Sequence, residues 1–103
     1  MAAELRVERA FTIRNELGLH ARPAGRFVSI ASRFAAEIWV GKGDEWVSGR
    51  SVLSILSLAA GPGTELRIRA EGVDAEAAVE ALGVVLAATL EELPAVEGGP
   101  KAD

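Results

Sequence analysis

The chain has 103 residues, which is enough for one compact domain with its own core but too few for two. Half of the residues are hydrophobic and a quarter are charged, as in ordinary globular proteins. The net charge of −4 disfavours wholesale binding to nucleic acid, and the lack of cysteine excludes disulfides and thiolate metal sites. Without a signal-like N-terminus or a long apolar run, we expect a cytoplasmic protein with no membrane insertion.

Alternating apolar and polar residues predict four strands. In 64–71 the apolar residues alternate with charged ones, which indicates a sheet with one buried and one solvated face. A similar strand is predicted from about Leu5 to Ile13. Residues 38–40 and 45–47 flank a glycine-containing stretch, 41–44, and this arrangement predicts a hairpin with a short loop.

Apolar residues at helical spacing predict three helices. The first runs from Ala21 to Phe34, the second from Val52 to Ala59, and the third from Ala75 to Leu93. Asp74 stands directly before the third segment, where an aspartate is a favoured N-cap. The turn-forming run 61–63 ends the second helix.

The predicted order of elements is β-α-β-β-α-β-α. Strands that alternate clearly, interspersed with helices, favour an α+β fold in which an antiparallel sheet carries all of its helices on one face. We expect a single domain over residues 1–93. Residues 94–103 hold two prolines and two glycines and are expected to form a flexible C-terminal tail.

The one histidine of the chain lies where the first strand gives way to the first helix. A helix that begins at Ala21 makes His20 its N-cap, and the unpaired N–H groups of the first helical turn form an anion site. Arg22 can place its guanidinium against phosphate oxygens, and Pro23 fits a first turn because it lacks an N–H. Position alone also allows a plainer interpretation, in which His20 is a surface cap residue.

Three segments resemble the HPr family, the histidine-containing phosphocarriers of the phosphoenolpyruvate-dependent phosphotransferase system. The stretch Asn15–Ala24 looks like the family's active-site segment. Residues 50–59 resemble its regulatory-serine segment, and 63–75 are similar to its last strand and the start of its last helix. The three matches follow the family's order and spacing, and together they cover roughly residues 5 to 92.

The resemblance implies an open-faced β-sandwich: a four-stranded antiparallel sheet with three helices on one face. It also implies that phosphorylated enzyme I transfers a phosphoryl group to the δ1 nitrogen of His20, which passes it to a IIA protein or domain. Arg22 corresponds to the family's phosphate-stabilising arginine. On this interpretation the chain is a phosphoryl carrier and not an enzyme, needs no cofactor or metal ion, and is a monomer.

Two further roles follow from the resemblance. Ser51 corresponds to the serine that an HPr kinase/phosphorylase modifies, although a serine before a helix at Val52 is equally explained as an N-cap. The segment next to His20 corresponds to the family's partner-binding surface, for which the candidate residues are Ala21, Arg22, Ala24, Val52, Leu53 and Leu56. The alternative for the last three is that they cover the edge of the core.

The sequence departs from the family on the first helix. Many members carry lysine at the positions that Ser29 and Ser32 occupy here. Arg26, Arg33 and Arg50 can supply local positive charge instead. The IIA partner is therefore open, and the chain could serve a nitrogen-related or purely regulatory branch rather than sugar transport.

A different class of function is a small RNA-binding sheet, which needs exposed aromatic residues and a basic face. Only Trp39 and Trp46, both in the predicted hairpin, qualify as such aromatics. A self-sufficient enzyme is disfavoured because the sequence shows no acid/base constellation around His20, no metal-ligand cluster and no phosphate-binding loop.

Overall fold

The computed structural model of the protein describes residues 5–94 as a four-stranded antiparallel sheet with helices packed on one face. The elements in chain order are β1 (Arg6–Thr12), α1 (Ala21–Ala31), β2 (Glu37–Lys42), β3 (Glu45–Ser48), α2 (Val52–Ser57), β4 (Glu65–Glu71) and α3 (Ala75–Ala87), followed by a 3₁₀ helix (Leu90–Glu92). This order confirms the predicted fold class. Within 5–94, no helix is both long and apolar enough to span a bilayer. The predicted flexibility of the tail concerns residues that, after Pro94, lie outside the described range.

The strands follow the order β1-β4-β2-β3, so β4 lies inside the sheet and pairs with both β1 and β2. Its Leu66, Ile68 and Ala70 are fully buried, and the charged residues between them face the open side of the sheet. The alternation predicted from the sequence is therefore confirmed, and it fixes which side of the sheet the helices cover.

The core lies between the sheet and the three helices. Its largest fully buried side chains come from all three helices, from two strands and from the residue that follows α2: Phe27, Val40, Ile55, Leu58, Leu66, Ile68, Val79, Leu82, Val85 and Leu86. Helix α3 passes close to β1 at Gly83, where a Cβ atom would collide with the ring of Phe11 unless that ring moved. Glycine lets the ring pack directly against the backbone of the helix.

All three helices end earlier than predicted. Helix α1 stops at Ala31 rather than Phe34. The guanidinium of Arg50 donates to the carbonyl of Ala31 (3.0 Å), the last residue of the helix, and to the carbonyls of Phe34 (2.9 Å) and Ala36 (2.7 Å) beyond it. Helix α2 stops at Ser57 rather than Ala59.

Helix α3 ends at Ala87 rather than Leu93, since Ala88 is extended with ψ of 144°. Thr89 and Glu92 then cap each other around the 3₁₀ helix. The hydrogen bond from the Thr89 backbone, followed by the charge of Arg14, lowers the pKa of Glu92. Because the folded chain favours ionised Glu92, this cap weakens only in acid, as the pH falls through the lowered pKa.

Two local predictions are also corrected. Asp74 precedes α3, but its carboxylate does not cap that helix; it accepts hydrogen bonds from the backbone N–H groups of Ala35 (2.8 Å) and Ala36 (2.9 Å). The hairpin loop is shorter than the predicted 41–44, because β2 continues to Lys42 and leaves only Gly43 and Asp44 to turn.

Candidate functional site

A tight turn connects β1 to α1. The side-chain Oδ1 of Asn15 accepts a hydrogen bond from the N–H of Leu17 (3.0 Å), and its backbone carbonyl accepts one from Gly18 (2.9 Å). Gly18 has φ of +72°, a left-handed conformation that glycine adopts without steric cost. The turn therefore depends on one asparagine and one glycine, and the chain continues from it through Leu19 to His20.

The turn is held against the segment that follows α2. The N–H of Leu19 donates to the carbonyl of Ala60 at 2.9 Å, and a Cβ atom on Gly18 would lie 2.6 Å from that same carbonyl oxygen. Any larger residue at position 18 would push the two segments apart. Gly18 is thus needed both for its torsion angle and for this close approach.

The segment that receives the turn carries backbone strain. Ala59 has φ of +51° and is the one non-glycine residue with positive φ in the part of the chain that the structure describes. The left-handed conformation is unfavourable for an L-residue with a Cβ atom. The ammonium group of Lys42 donates to the carbonyl of Leu58 (2.9 Å), which caps the end of α2 beside this strained residue.

His20 is the N-cap residue of α1, as the sequence predicted. Its backbone is extended (φ −91°, ψ −171°), its carbonyl accepts the first helical hydrogen bond from Ala24 (3.1 Å), and its ring forms no capping bond. Ring atom Nε2 is enclosed and lacks a hydrogen-bond partner within the described residues. One ring nitrogen is therefore turned into the protein, and although His20 occupies the N-cap position its side chain does not cap the helix.

The first turn of α1 presents an anion-binding geometry next to this ring. The N–H groups of Ala21 and Arg22 lie at helix positions that have no intrahelical acceptor, and the third residue is the buried Pro23. The Arg22 side chain is exposed and forms no hydrogen bond with any residue in 5–94. A positive potential and an unengaged guanidinium therefore lie within two residues of the ring.

Helix α2 begins at the other predicted site residue. The hydroxyl of Ser51 accepts a hydrogen bond from the N–H of Ser54 (3.1 Å), so Ser51 is the N-cap. Leu53 is 80% exposed, whereas Val52 and Leu56 are half-buried and pack against the core. Of the three apolar candidates for partner binding, only Leu53 presents most of its side chain to solvent.

The other candidates for partner binding or local positive charge are also partly exposed and partly engaged in the fold. Ala21 and Arg22 are exposed, but Ala24 is fully buried beneath α1 and cannot contact a partner. Arg50 is committed to the end of α1, and Arg26 donates to the carbonyl of Pro94 (2.6 Å). These two arginines support the fold as well as carrying charge.

The two tryptophans lie on the open face of the sheet, where an RNA-binding protein would need them. The guanidinium groups of Arg67 and Arg69 stack over the Trp46 ring, at 4.7 and 4.1 Å from its centroid, and both pair with Glu8. Trp46 is therefore already covered by cations whose charge is partly neutralised. This arrangement disfavours base stacking on that ring.

Comparisons with known proteins show which family the chain resembles. The family described as "PTS HPr component phosphorylation site" matches residues 7–88. Phosphocarrier protein HPr of Neisseria meningitidis serogroup A is 40% identical over 76 residues, which cover 74% of this chain and 85% of that protein. Phosphocarrier protein NPr of Shewanella violacea is 40% identical over 84% of this chain and 96% of its own. The crystal structure of HPr from Bacillus anthracis superposes with a TM-score of 0.75 at 41% identity, covering 79% of this chain and 96% of that one.

The strain at Ala59 can be measured. We expect Ala59→Gly to raise the free energy of unfolding by about 0.5–1 kcal/mol, because glycine accepts positive φ at no steric cost. The same substitution at Ala77, an exposed residue inside α3, should lower it by about 1 kcal/mol. Urea denaturation of both variants measures whether their free energies of unfolding change in opposite directions. A loss of stability in Ala59→Gly would show that this turn stores no strain.

Proposed function

Because the chain belongs to the HPr family of phosphocarriers, we propose that it accepts a phosphoryl group from phosphorylated enzyme I on His20 and passes it to a IIA protein or domain. The observation that supports this most directly is the position of the chain's one histidine. It lies at the N-terminus of α1, inside the matched residues, with a ring that does no structural capping. In this role the chain is a carrier and a protein substrate, and it is not a catalyst.

The proposed acceptor atom is Nδ1. Since Nε2 is enclosed, an incoming phosphorus atom cannot reach it, which leaves Nδ1 as the nucleophile. Transfer then forms a phosphorus–nitrogen bond at Nδ1 as the bond to the donor breaks, and the reverse pair of events delivers the group to the next protein. No bond to a cofactor is needed in either step.

Two groups stabilise the phosphoryl oxygens in this proposal. The N–H groups of the first turn of α1 provide the positive end of the helix dipole, and Arg22 provides a guanidinium. Each charge-assisted hydrogen bond is worth about 1.5–3 kcal/mol. Arg22 makes no other hydrogen bond within residues 5–94, so it can approach the phosphoryl group and withdraw without breaking a contact of the fold.

We further propose that partners dock on the surface formed by Ala21, Arg22 and Leu53, with Val52 and Leu56 contributing only their exposed edges. Leu53 is the candidate anchor because a leucine that is 80% exposed on α2, a helix that packs against α1, is available for burial in a complex. Ala24, which is fully buried, is left out of this docking surface.

Ser51 is the proposed site of regulation by an HPr kinase/phosphorylase. A phosphate there adds about −1.5 to −2 charge at pH 7 next to Leu53, which weakens the docking of an acidic partner. The hydroxyl also caps α2, so the same atom serves the fold and the proposed regulation.

The carrier role predicts a single phosphoryl adduct. Incubation with enzyme I, magnesium ions and phosphoenolpyruvate should add one acid-labile phosphoryl group to the wild-type protein and none to His20→Ala. Intact-mass analysis of samples kept alkaline checks this. An unmodified wild-type protein in the presence of its cognate enzyme I would exclude the carrier role.

Transfer from the phosphorylated protein to different acceptors also identifies the downstream branch. Similarity to both HPr and NPr proteins leaves a sugar-type and a nitrogen-type acceptor as candidates. Presenting the adduct to one IIA protein of each type, and following loss of the phosphoryl mass, distinguishes sugar transport from a nitrogen-related or regulatory role.

The docking surface predicts a selective effect on binding. Leu53→Ser should raise the KM of enzyme I for the carrier about tenfold, which corresponds to about 1.4 kcal/mol of lost apolar contact, and should leave kcat unchanged. Val73→Ser is the matched control because Val73 is also 80% exposed but lies in the connection between β4 and α3, outside the proposed docking surface. Equal kinetics for the two variants would remove Leu53 from the interface.

The regulatory proposal predicts a second, acid-stable adduct. An HPr kinase with ATP should add one phosphoryl group to wild type and to His20→Ala but not to Ser51→Ala. Ser51→Ala should also lose about 1 kcal/mol of stability as its N-cap disappears, which thermal melting measures. If Ser51→Ala is still modified, the kinase acts at another residue and the regulatory assignment is wrong.

A further inference from the structure

Three local irregularities of the described chain converge on the turn that carries His20. Within 5–94, the side-chain atoms that are enclosed without a hydrogen-bond partner are Nδ2 of Asn15 and Nε2 of His20. The one non-glycine residue with positive φ in this range is Ala59, which precedes Ala60, whose carbonyl accepts the hydrogen bond from Leu19. Unsatisfied groups and backbone strain are rare in native folds and concentrate at functional sites.

Asn15 is the residue on which this turn depends. It is the one buried polar or charged residue of the described chain, with only 3% of its surface exposed. Its side chain accepts from Leu17 and its backbone carbonyl accepts from Gly18, so a single residue closes the turn twice. This is an Asx turn, in which a side-chain oxygen imitates a backbone acceptor.

Packing gives the turn little support on its outer side. A cavity of about 500 Å³ opens between the turn and the segment after α3, and Asn15, Leu17 and Leu90 are among the residues that line it. The turn is anchored at its end by Leu19, which is buried in the core and donates to Ala60, whereas its first part depends on the hydrogen bonds to Asn15. Loss of the Asn15 side-chain acceptor would free the N–H group of Leu17, three residues before His20.

The chemistry of the carboxamide fits this task. An apolar side chain would avoid the enclosed, unpartnered N–H group but would provide no acceptor for Leu17. A carboxylate would provide the acceptor but would bury a negative charge near the place where a phosphoryl group arrives. Asparagine is the residue of this size that accepts the hydrogen bond and remains neutral.

We infer that Asn15 is a positioning residue for phosphoryl transfer at His20. It does not touch the phosphoryl group; it fixes the turn that sets the direction of the imidazole, and so it acts on the transfer step and not on docking. The inference rests on the proposed carrier function and adds to it a residue whose effect should appear in kcat rather than in KM.

The test compares Asn15→Ala and Asn15→Ser with Asp74→Ala. Asp74 is the matched control because its side chain also accepts hydrogen bonds from two backbone N–H groups, but at Ala35 and Ala36, past the far end of α1. Initial rates with phosphorylated enzyme I are measured over a range of carrier concentrations, well below each variant's melting transition.

Asn15→Ala should lower kcat about tenfold or more with KM within about twofold of wild type, because misplaced reacting groups lose much of their rate. The serine hydroxyl of Asn15→Ser makes a weaker version of the same turn, so the kcat of this variant should lie between those of the wild type and Asn15→Ala. Asp74→Ala should lose stability yet keep the kcat of the wild type. This split separates positioning from general loosening of the fold.

Several results would overturn the inference. Wild-type kcat in Asn15→Ala, an effect on KM alone, or an equal fall of kcat in Asp74→Ala would each show that Asn15 only stabilises the fold. Should Asn15→Ala fail to fold, Asn15→Ser decides by the same criteria. A wild-type protein that accepts no phosphoryl group would instead contradict the carrier function itself.

Discussion

The backbone hydrogen bond from Leu19 to Ala60 ties together two segments that are distant in the sequence: the turn before α1 and the end of α2. It forms because Gly18 has no Cβ atom to hold the two segments apart, and because Ala59 adopts the left-handed conformation just before the accepting carbonyl. The direction of the His20 ring depends on this contact, since the residue that donates the hydrogen bond immediately precedes it.

The sequence was sufficient for the fold because the periodic signals are strong. Leu66, Ile68 and Ala70 alternate with charged residues in β4, and the helical stripes are equally regular, so element types and their order could be predicted. The ends of the helices could not be predicted in the same way. Arg50, which belongs to a different part of the sequence, binds the carbonyl of Ala31, where helix α1 ends. Asp74 likewise bonds to the chain beyond α1 rather than to its own helix.

In the candidate site, too, the sequence was enough to identify some residues, whereas others required the structure. His20 and Arg22 could be found from the sequence, because a lone histidine before a helix within a family-like segment is a local pattern. Asn15 was part of that segment, but its burial and its unpartnered amide depend on what surrounds it in three dimensions. The difference between Leu53 and its neighbours also required the structure. Helical spacing shows that not all of these side chains can face the core, but not which one is left exposed.

Both ends of α2 are attached to opposite ends of α1. At the start of α2, Arg50, which precedes the N-cap Ser51, donates to the carbonyl of Ala31, the last residue of α1. At its end, Ala60 accepts from Leu19 beside the N-terminus of α1. The proposed acceptor His20 and the proposed anchor Leu53 therefore belong to one braced unit. In the proposed carrier role such bracing is an advantage, because little conformational entropy is left to lose when each complex forms.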